Sequence, residues 1–114
     1  MRDFRKSEVW KQSMELVNLV YDLIDTFPKN EQFGISQQMQ RCSVSIPSNI
    51  AEGCSRKSDK EFSRYIQISM GSSFELETQL LIASERNSFN DKHIFVVKCP
   101  SKKTKCTQPK ANNQ

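Results

Sequence analysis

Residues 41–53, with the sequence RCSVSIPSNIAEG, constrain the fold most because they place a proline inside a helical pattern. The apolar positions of this region recur at steps of three and four, as one face of an α-helix requires; they are Ile35, Met39, Cys42, Ile46 and Ile50. Pro47 removes a backbone donor and clashes with the carbonyl of Ser43, at a cost of roughly 3 kcal/mol in a regular helix. We predict one kinked helix that begins near Ile35 and reaches about Glu52, rather than two short ones, with replacement hydrogen bonds from Ser43, Ser45 or Ser48. Gly53 is expected just past its end.

A helix is also predicted over residues 7–27, with Ser7 as its N-cap and Pro28 as its terminator. Its apolar residues form a heptad-like seam and a second row beside it. The seam consists of Trp10, Met14, Val17, Tyr21 and Ile24, and the second row of Leu16, Leu19, Leu23 and Phe27. Because the combined face is wider than one neighbouring helix covers, we expect this helix to contact at least two partners.

The longest helix is predicted over residues 58–86 and opens on a capping box, in which Ser58 is followed by Glu61. Its apolar face is formed by Phe62, Ile66, Met70, Leu76, Leu80 and Ala83. Gly71, Ser72 and Ser73 interrupt this face, and glycine costs up to about 1 kcal/mol in a helix interior. Small residues in a row predict that a neighbouring backbone passes close by, and residues 41–53 are the expected neighbour.

Charge divides the chain into two parts. Residues 1–97 hold 12 basic and 13 acidic side chains, whereas residues 98–114 hold five lysines and no acid, so the overall charge of +4 comes from the end of the chain. We do not infer a nucleic-acid partner from that overall charge. The length suits one domain. We predict a helical core over residues 1–86 and a divergent, disordered basic tail over residues 87–114.

Several chemistries lack the residue patterns that they require. The four cysteines form no metal-binding spacing, and the only histidine is His93. Cys42 and Cys54 would be about 18 Å apart on one helix, too far for a disulfide. No base is placed to activate Cys42 or Ser45, so we expect free thiols, no metal, no cofactor and no enzymatic activity. The N-terminal segment resembles neither a signal peptide nor a membrane span, which predicts a cytoplasmic protein.

Two groups of polar residues are candidate sites. The polar stripe lies along the second helix and consists of Arg41, Ser45, Asn49 and Glu52. It is either a nucleic-acid or partner-binding surface, or a buried network or subunit interface with Ser72 and Glu75. The basic cluster lies around the start of the third helix, where the helix dipole favours anions, and consists of Arg56, Lys57, Lys60 and Arg64. It is either a solvated face or a phosphate-binding patch.

The helices also carry a set of short motifs: Val9-Trp10-Lys11, Phe27-Pro28, Phe33-Gly34, Ser45-Ile46-Pro47, Asn49-Ile50-Ala51-Glu52-Gly53 and Gly71-Ser72-Ser73. With these motifs the chain resembles the four-helix-bundle family encoded in intervening sequences of bacterial 23S ribosomal RNA genes, over residues 4 to about 86. The resemblance implies an antiparallel up-and-down bundle that assembles into a ring-shaped homopentamer. It also implies kinship to retroelement accessory proteins that bind nucleic acid and a reverse transcriptase.

The chain departs from this family after residue 86, where members have a fourth amphipathic helix and this sequence shows no helical periodicity. We therefore expect an all-α bundle with three clear helices and a fourth that is missing or altered by a frameshift or truncation. The expected function is non-catalytic and oligomeric, with ribosomal RNA or a retroelement nucleic acid, RNA or DNA, as the partner. The alternatives are a structural or assembly module without a nucleic-acid partner and a non-functional truncated remnant.

Overall fold

The computed structural model describes residues 2–29 and 34–86, and this part of the chain contains helices and no strand. A short 3-10 turn, Phe4–Lys6, precedes three α-helices: α1 (Glu8–Ile24), α2 (Ile35–Cys54) and α3 (Asp59–Glu85). The predicted all-α class with three helices is confirmed. The predictions of a disordered tail and of a missing or altered fourth helix concern residues 87–114, which lie outside the described residues.

The helix starts follow the caps that the sequence predicts. The side chain of Ser7 accepts a hydrogen bond from the backbone N–H of Trp10, and Ser58 accepts one from that of Glu61. Helix α1 ends at Ile24, three residues earlier than expected. The Thr26 hydroxyl donates to a carbonyl of the last turn at 2.7 Å. This bond and the proline at position 28 draw the backbone out of helical geometry.

Helix α2 is central and packs against both α1 and α3. Helices α2 and α3 run in opposite directions. Cys42 contacts Ser72, whereas Gly53, later in α2, contacts Tyr65, earlier in α3. The first residues of the chain lie against the C-terminal end of α2, so α1 is also antiparallel to α2. The three helices therefore alternate in direction, as an up-and-down bundle requires.

The core contains apolar side chains from all three helices: Leu16, Val20, Leu23, Met39, Cys42, Ile46, Ile50, Leu76 and Leu80. On α1 the buried apolar positions are Val20 and two members of the second row, Leu16 and Leu23, whereas Leu19 of that row is exposed. Of the predicted seam, Trp10 and Ile24 pack against this core, whereas Met14 and Tyr21 are 40% and 42% exposed. Both rows have helical spacing, and the position of α2 decides which members of each row are buried.

Pro47 is buried inside α2, and the helix continues through it as one element. Two carbonyls beside the proline accept side-chain hydrogen bonds: Ser45 from Asn49 Nδ2 at 2.8 Å and Ile46 from Ser69 Oγ at 3.0 Å. The prediction of one helix rather than two is confirmed. Of the three serines that the sequence suggested, Ser43 donates from its hydroxyl to the carbonyl of Gln40 at 3.0 Å. Ser69, one of the donors beside the proline, comes from α3.

Candidate nucleic-acid interface

The candidate site begins where α3 approaches the last turn of α2. Gly53 is buried within α2, one residue before its end, so its predicted place beyond the helix is wrong. A Cβ on Gly53 would lie 2.9 Å from the Cβ of Tyr65 and 3.3 Å from the carbonyl oxygen of Phe62. Glycine at position 53 therefore provides the space that α3 needs. Nothing lies within 4 Å of a Cβ built on Gly71. The predicted close approach of residues 41–53 to the stretch 71–73 occurs at Ser72, which contacts Cys42 and Ser45.

The ring of Tyr65 lies beside two cations of the basic cluster. The guanidinium of Arg56 is 5.1 Å from the ring centroid, and that of Arg64 is 5.9 Å away. Arg56 also forms an ion pair with Glu52, and the hydrogen bond to Glu52 is the main cause that raises the pKa of Arg56 above its ordinary value. Intramolecular contacts thus hold Arg56 in place against α3.

The other three cations of the basic cluster are available to a partner. Lys57, Lys60 and Arg64 are exposed, and within residues 2–29 and 34–86 none of them forms an ion pair. Lys60 and Arg64 are four residues apart on α3 and share one face. Glu61 lies in the same shallow depressions and offsets part of the positive charge. The start of α3 therefore combines a helix N-terminus with cations that the described chain does not neutralise.

Arg2 joins this end of the bundle, although sequence analysis did not select it. Its guanidinium forms an ion pair with Asp59 and lies 3.9 Å from the ring centroid of Phe62. Its backbone N–H donates to the carbonyl of Cys54 at 3.4 Å. Asp59 is one of the two acidic residues in the first turn of α3. Because Arg2 neutralises it, its negative charge offsets less of the positive charge of the basic cluster. No local pattern could reveal this contact, because it joins residues 57 positions apart.

Part of the polar stripe forms a hydrogen-bonded network between α2 and α3. The hydroxyl oxygens of Ser45 and Ser72 are 2.6 Å apart, and Asn49 Nδ2 donates to the carbonyl of Ser45 at 2.8 Å. Glu52 points elsewhere, since it pairs with Arg56. The stripe therefore connects the interior of the α2–α3 contact to the basic cluster at its end.

Arg41 and Glu75, the remaining members of the predicted network, are exposed at the surface. Among the described residues, Arg41 forms no ion pair. Glu75 acts on Cys42, whose thiol donates to the carbonyl of Ser72 at 3.1 Å. Burial first, and then the charge of Glu75 and a hydrogen bond with it, raise the pKa of Cys42 to about 12. Cys42 is thus held as a neutral, buried thiol.

Comparison with known families agrees with these motifs. The sequence model of the 23S rRNA-intervening sequence protein family matches residues 5–101. The chain belongs to this family. The match includes the polar stripe and the basic cluster, and it extends past Arg86, beyond the motifs that carry the resemblance. No curated protein matches this 23S rRNA-intervening sequence protein.

Three further features of the described chain limit the chemistry of its site. None of the helices in the described part of the chain is long and apolar enough to cross a membrane. Residues 2–29 and 34–86 contain no group of three or more His, Cys, Asp and Glu side chains that could hold a metal ion. Cys42 and Cys54 are free and buried.

Proposed function

We propose that this protein is a non-catalytic nucleic-acid-binding protein whose interface is the basic cluster at the start of α3. One observation carries the proposal. Three cations, Lys57, Lys60 and Arg64, surround a helix N-terminus, and none of them has an ion-pair partner in the described chain. The nearby Asp59 is paired with Arg2 instead. Phosphate groups are anions that such an arrangement binds. The family name makes 23S ribosomal RNA the first ligand to test. The kinship that the resemblance implies makes retroelement RNA or DNA the second.

The geometry favours contacts to the phosphate backbone over contacts to bases. Tyr65 is partly buried, packed on Gly53 and placed beside two guanidinium groups, so its ring is poorly available for stacking on a base. Lysine and arginine contacts to phosphate supply affinity without sequence information. We therefore expect binding that depends steeply on salt and weakly on sequence.

Exposed apolar side chains support self-association as the second part of the proposal. Met14 and Tyr21 on α1, and Ile68 and Ile82 on α3, are 40–45% exposed. Such side chains on several faces suit contacts between copies of the chain. A ring, such as the homopentamer that the resemblance implies, would repeat the basic cluster and increase the avidity for a long nucleic acid. A reverse transcriptase is a further candidate partner on the same resemblance.

Charge neutralisation with a matched control tests the interface. Lys57→Gln, Lys60→Gln and Arg64→Gln are combined in one variant, and Lys11→Gln, Lys29→Gln and Arg86→Gln, which are exposed positions elsewhere, in the control. Binding to a 23S rRNA fragment and to an unrelated duplex is followed by fluorescence anisotropy. We expect at least about tenfold weaker binding for the first variant and a much smaller change for the control. Equal effects would contradict the proposed interface.

The same assay distinguishes the alternatives. An oligomer that binds neither nucleic acid, with its assembly measured by native mass spectrometry, would support a structural or assembly module instead. The exposed apolar side chains are the observation that favours this second candidate. A non-functional remnant predicts a thermal transition without cooperativity in circular dichroism, whereas a functional bundle predicts a cooperative one.

Arg2 allows a finer test of the interface. Arg2→Gln removes the cation that neutralises Asp59. The negative charge of Asp59 then repels phosphate beside the basic cluster, so we expect weaker nucleic-acid binding. If Arg2 acts by neutralising Asp59, adding Asp59→Asn restores most of the affinity. Persistent loss in the double variant would instead mean that Arg2 contacts the nucleic acid itself.

A further inference from the structure

Glu61 is an acidic residue that lies among the cations of the basic cluster. It borders both of the shallow depressions at the start of α3, and among the described residues only Ser58 does the same. Each depression contains two members of the basic cluster: Arg56 and Lys57 in the first, and Lys60 and Arg64 in the second. Glu61 therefore lies at the boundary between two positively charged depressions.

The carboxylate of Glu61 is available to a partner. Of the two acids in the first turn of α3, Asp59 is paired with Arg2, whereas Glu61 is exposed and forms no ion pair within residues 2–29 and 34–86. The backbone N–H of Glu61 donates to the hydroxyl of Ser58 at 3.1 Å. This bond fixes the backbone of Glu61 at the helix start and leaves its carboxylate oxygens able to accept a hydrogen bond.

The two depressions define what a nucleic-acid strand would bring to Glu61. Successive phosphates of a strand are joined through one sugar, so a strand with a phosphate in each depression places a sugar at the boundary between them. A carboxylate repels the phosphates on either side, and it accepts hydrogen bonds but cannot donate them. The 2′-hydroxyl is the donor that ribose has and deoxyribose lacks. A carboxylate at this boundary therefore favours ribose.

We propose that Glu61 makes the basic cluster selective for RNA over DNA, by accepting a hydrogen bond from a ribose 2′-hydroxyl while the cations on either side bind the adjacent phosphates. With DNA, the carboxylate repels the strand and gains no hydrogen bond in return. The inference requires phosphate binding at the basic cluster and therefore rests on the proposed function. It adds the class of nucleic acid that the site takes and the residue that selects it.

Three oligomers of equal length test the contact with the 2′-hydroxyl: oligouridylate, oligodeoxyuridylate and 2′-O-methyl oligouridylate. They carry the same phosphates and differ mainly at the 2′ position. Binding to the full-length chain is measured by fluorescence anisotropy. We expect oligouridylate to bind at least about fivefold more tightly than the other two, because a hydrogen bond to a charged group is lost with both. The methyl group of the third oligomer replaces the proton that Glu61 accepts.

Two variants assign the selectivity to Glu61. Glu61→Ala removes both the acceptor and the repulsion, so it should tighten the binding of oligodeoxyuridylate and bring the two affinities close together. Glu85→Ala removes an exposed acid at the last residue of α3 and should keep the wild-type ratio of affinities.

The outcomes separate this proposal from the proposed function. Equal affinities of the wild type for the three oligomers, or an unchanged ratio in Glu61→Ala, would overturn the selectivity and leave phosphate binding at the basic cluster intact. A lower urea midpoint of unfolding for Glu61→Ala with an unchanged ratio would show that Glu61 acts only on the helix dipole. Binding that survives the removal of Lys57, Lys60 and Arg64 would overturn the proposed function, and the selectivity with it.

Discussion

The two sides of α3 differ in how they meet their neighbours. Toward α2, the contact is close and specific, with Gly53 against Tyr65 and the hydroxyl of Ser45 against that of Ser72. Toward α1, a groove remains, and Met70 in its wall is 52% exposed. The first contact needs particular small and polar residues, whereas the groove is lined mostly by apolar side chains. Three of the motifs, Ser45-Ile46-Pro47, Asn49–Gly53 and Gly71-Ser72-Ser73, lie on the two helices of the first contact.

Core truncation gives the largest expected difference between the two sides. Leu76 is 2% exposed in the core, so Leu76→Ala should lower the free energy of unfolding by about 2–5 kcal/mol. Met70→Ala, in the groove wall, should cost less than about 2 kcal/mol because half of the side chain is already in water. Urea denaturation followed by circular dichroism measures both. Equal costs would contradict the contrast between the two sides of α3.

The two helical glycines give the next largest effect, with opposite signs. Gly53→Ala places a Cβ 2.9 Å from that of Tyr65, so the helices must separate; we expect a net loss of about 1–2 kcal/mol. Gly71→Ala meets nothing within 4 Å and should stabilise the protein by up to about 1 kcal/mol through helix propensity. Stabilisation by both substitutions would show that α3 does not depend on glycine at position 53.

These glycines also show how far the sequence predicts the fold. Apolar spacing and the Ser58 cap predict the three helices, because both signals lie within one helix. Which glycine faces a neighbouring helix depends on how α2 and α3 are placed. The pattern predicts the close approach around residues 71–73, where Ser72 contacts α2, but it does not reveal that Gly53 lies against α3 and that Gly71 does not face α2. On α1 the pattern predicts one wide apolar face, and only the structure shows which of its positions are covered, since Leu16 is buried and Met14 is exposed.

The candidate site was predictable only where its residues are neighbours on one helix. Lys57, Lys60 and Arg64 follow each other around the start of α3 and are visible as a cluster of cations. The contribution of Arg2 depends on an ion pair with Asp59 across the fold, and no periodicity encodes it. Long-range electrostatic contacts of this kind require the three-dimensional structure.

The hydrogen bond between α2 and α3 should give a smaller effect. Ser72→Ala removes the partner of the Ser45 hydroxyl, and we expect a loss of about 1 kcal/mol, because Asn49 still donates to that oxygen at 3.3 Å. Ser48→Ala, at an exposed position of α2, is the control and should be neutral. A double-mutant cycle with Ser45→Ala should reveal a coupling energy of at least about 0.5 kcal/mol. Additive effects would show that the bond does not stabilise the contact.

The next expected effect is confined to alkaline pH and concerns the pH dependence of stability. The pKa of Cys42 is raised to about 12 in the folded protein, whereas an unfolded thiol ionises near pH 9. Because the unfolded state releases this proton first, stability should fall as the pH rises from about 9 toward 12. Urea midpoints at several pH values, compared with those of Cys42→Ala, isolate the contribution. A decline of the same size in Cys42→Ala would contradict this assignment.

The salt dependence of nucleic-acid binding tests the proposed interface most directly. The slope of log K against log salt concentration is measured for the wild type, for the variant without Lys57, Lys60 and Arg64, and for the matched control with three other cations removed. Loss of three phosphate contacts should reduce the magnitude of the slope by about 2–3. The control should retain the wild-type slope. An unchanged slope in the first variant, or an equal reduction in both, would contradict the binding of phosphate at the start of α3.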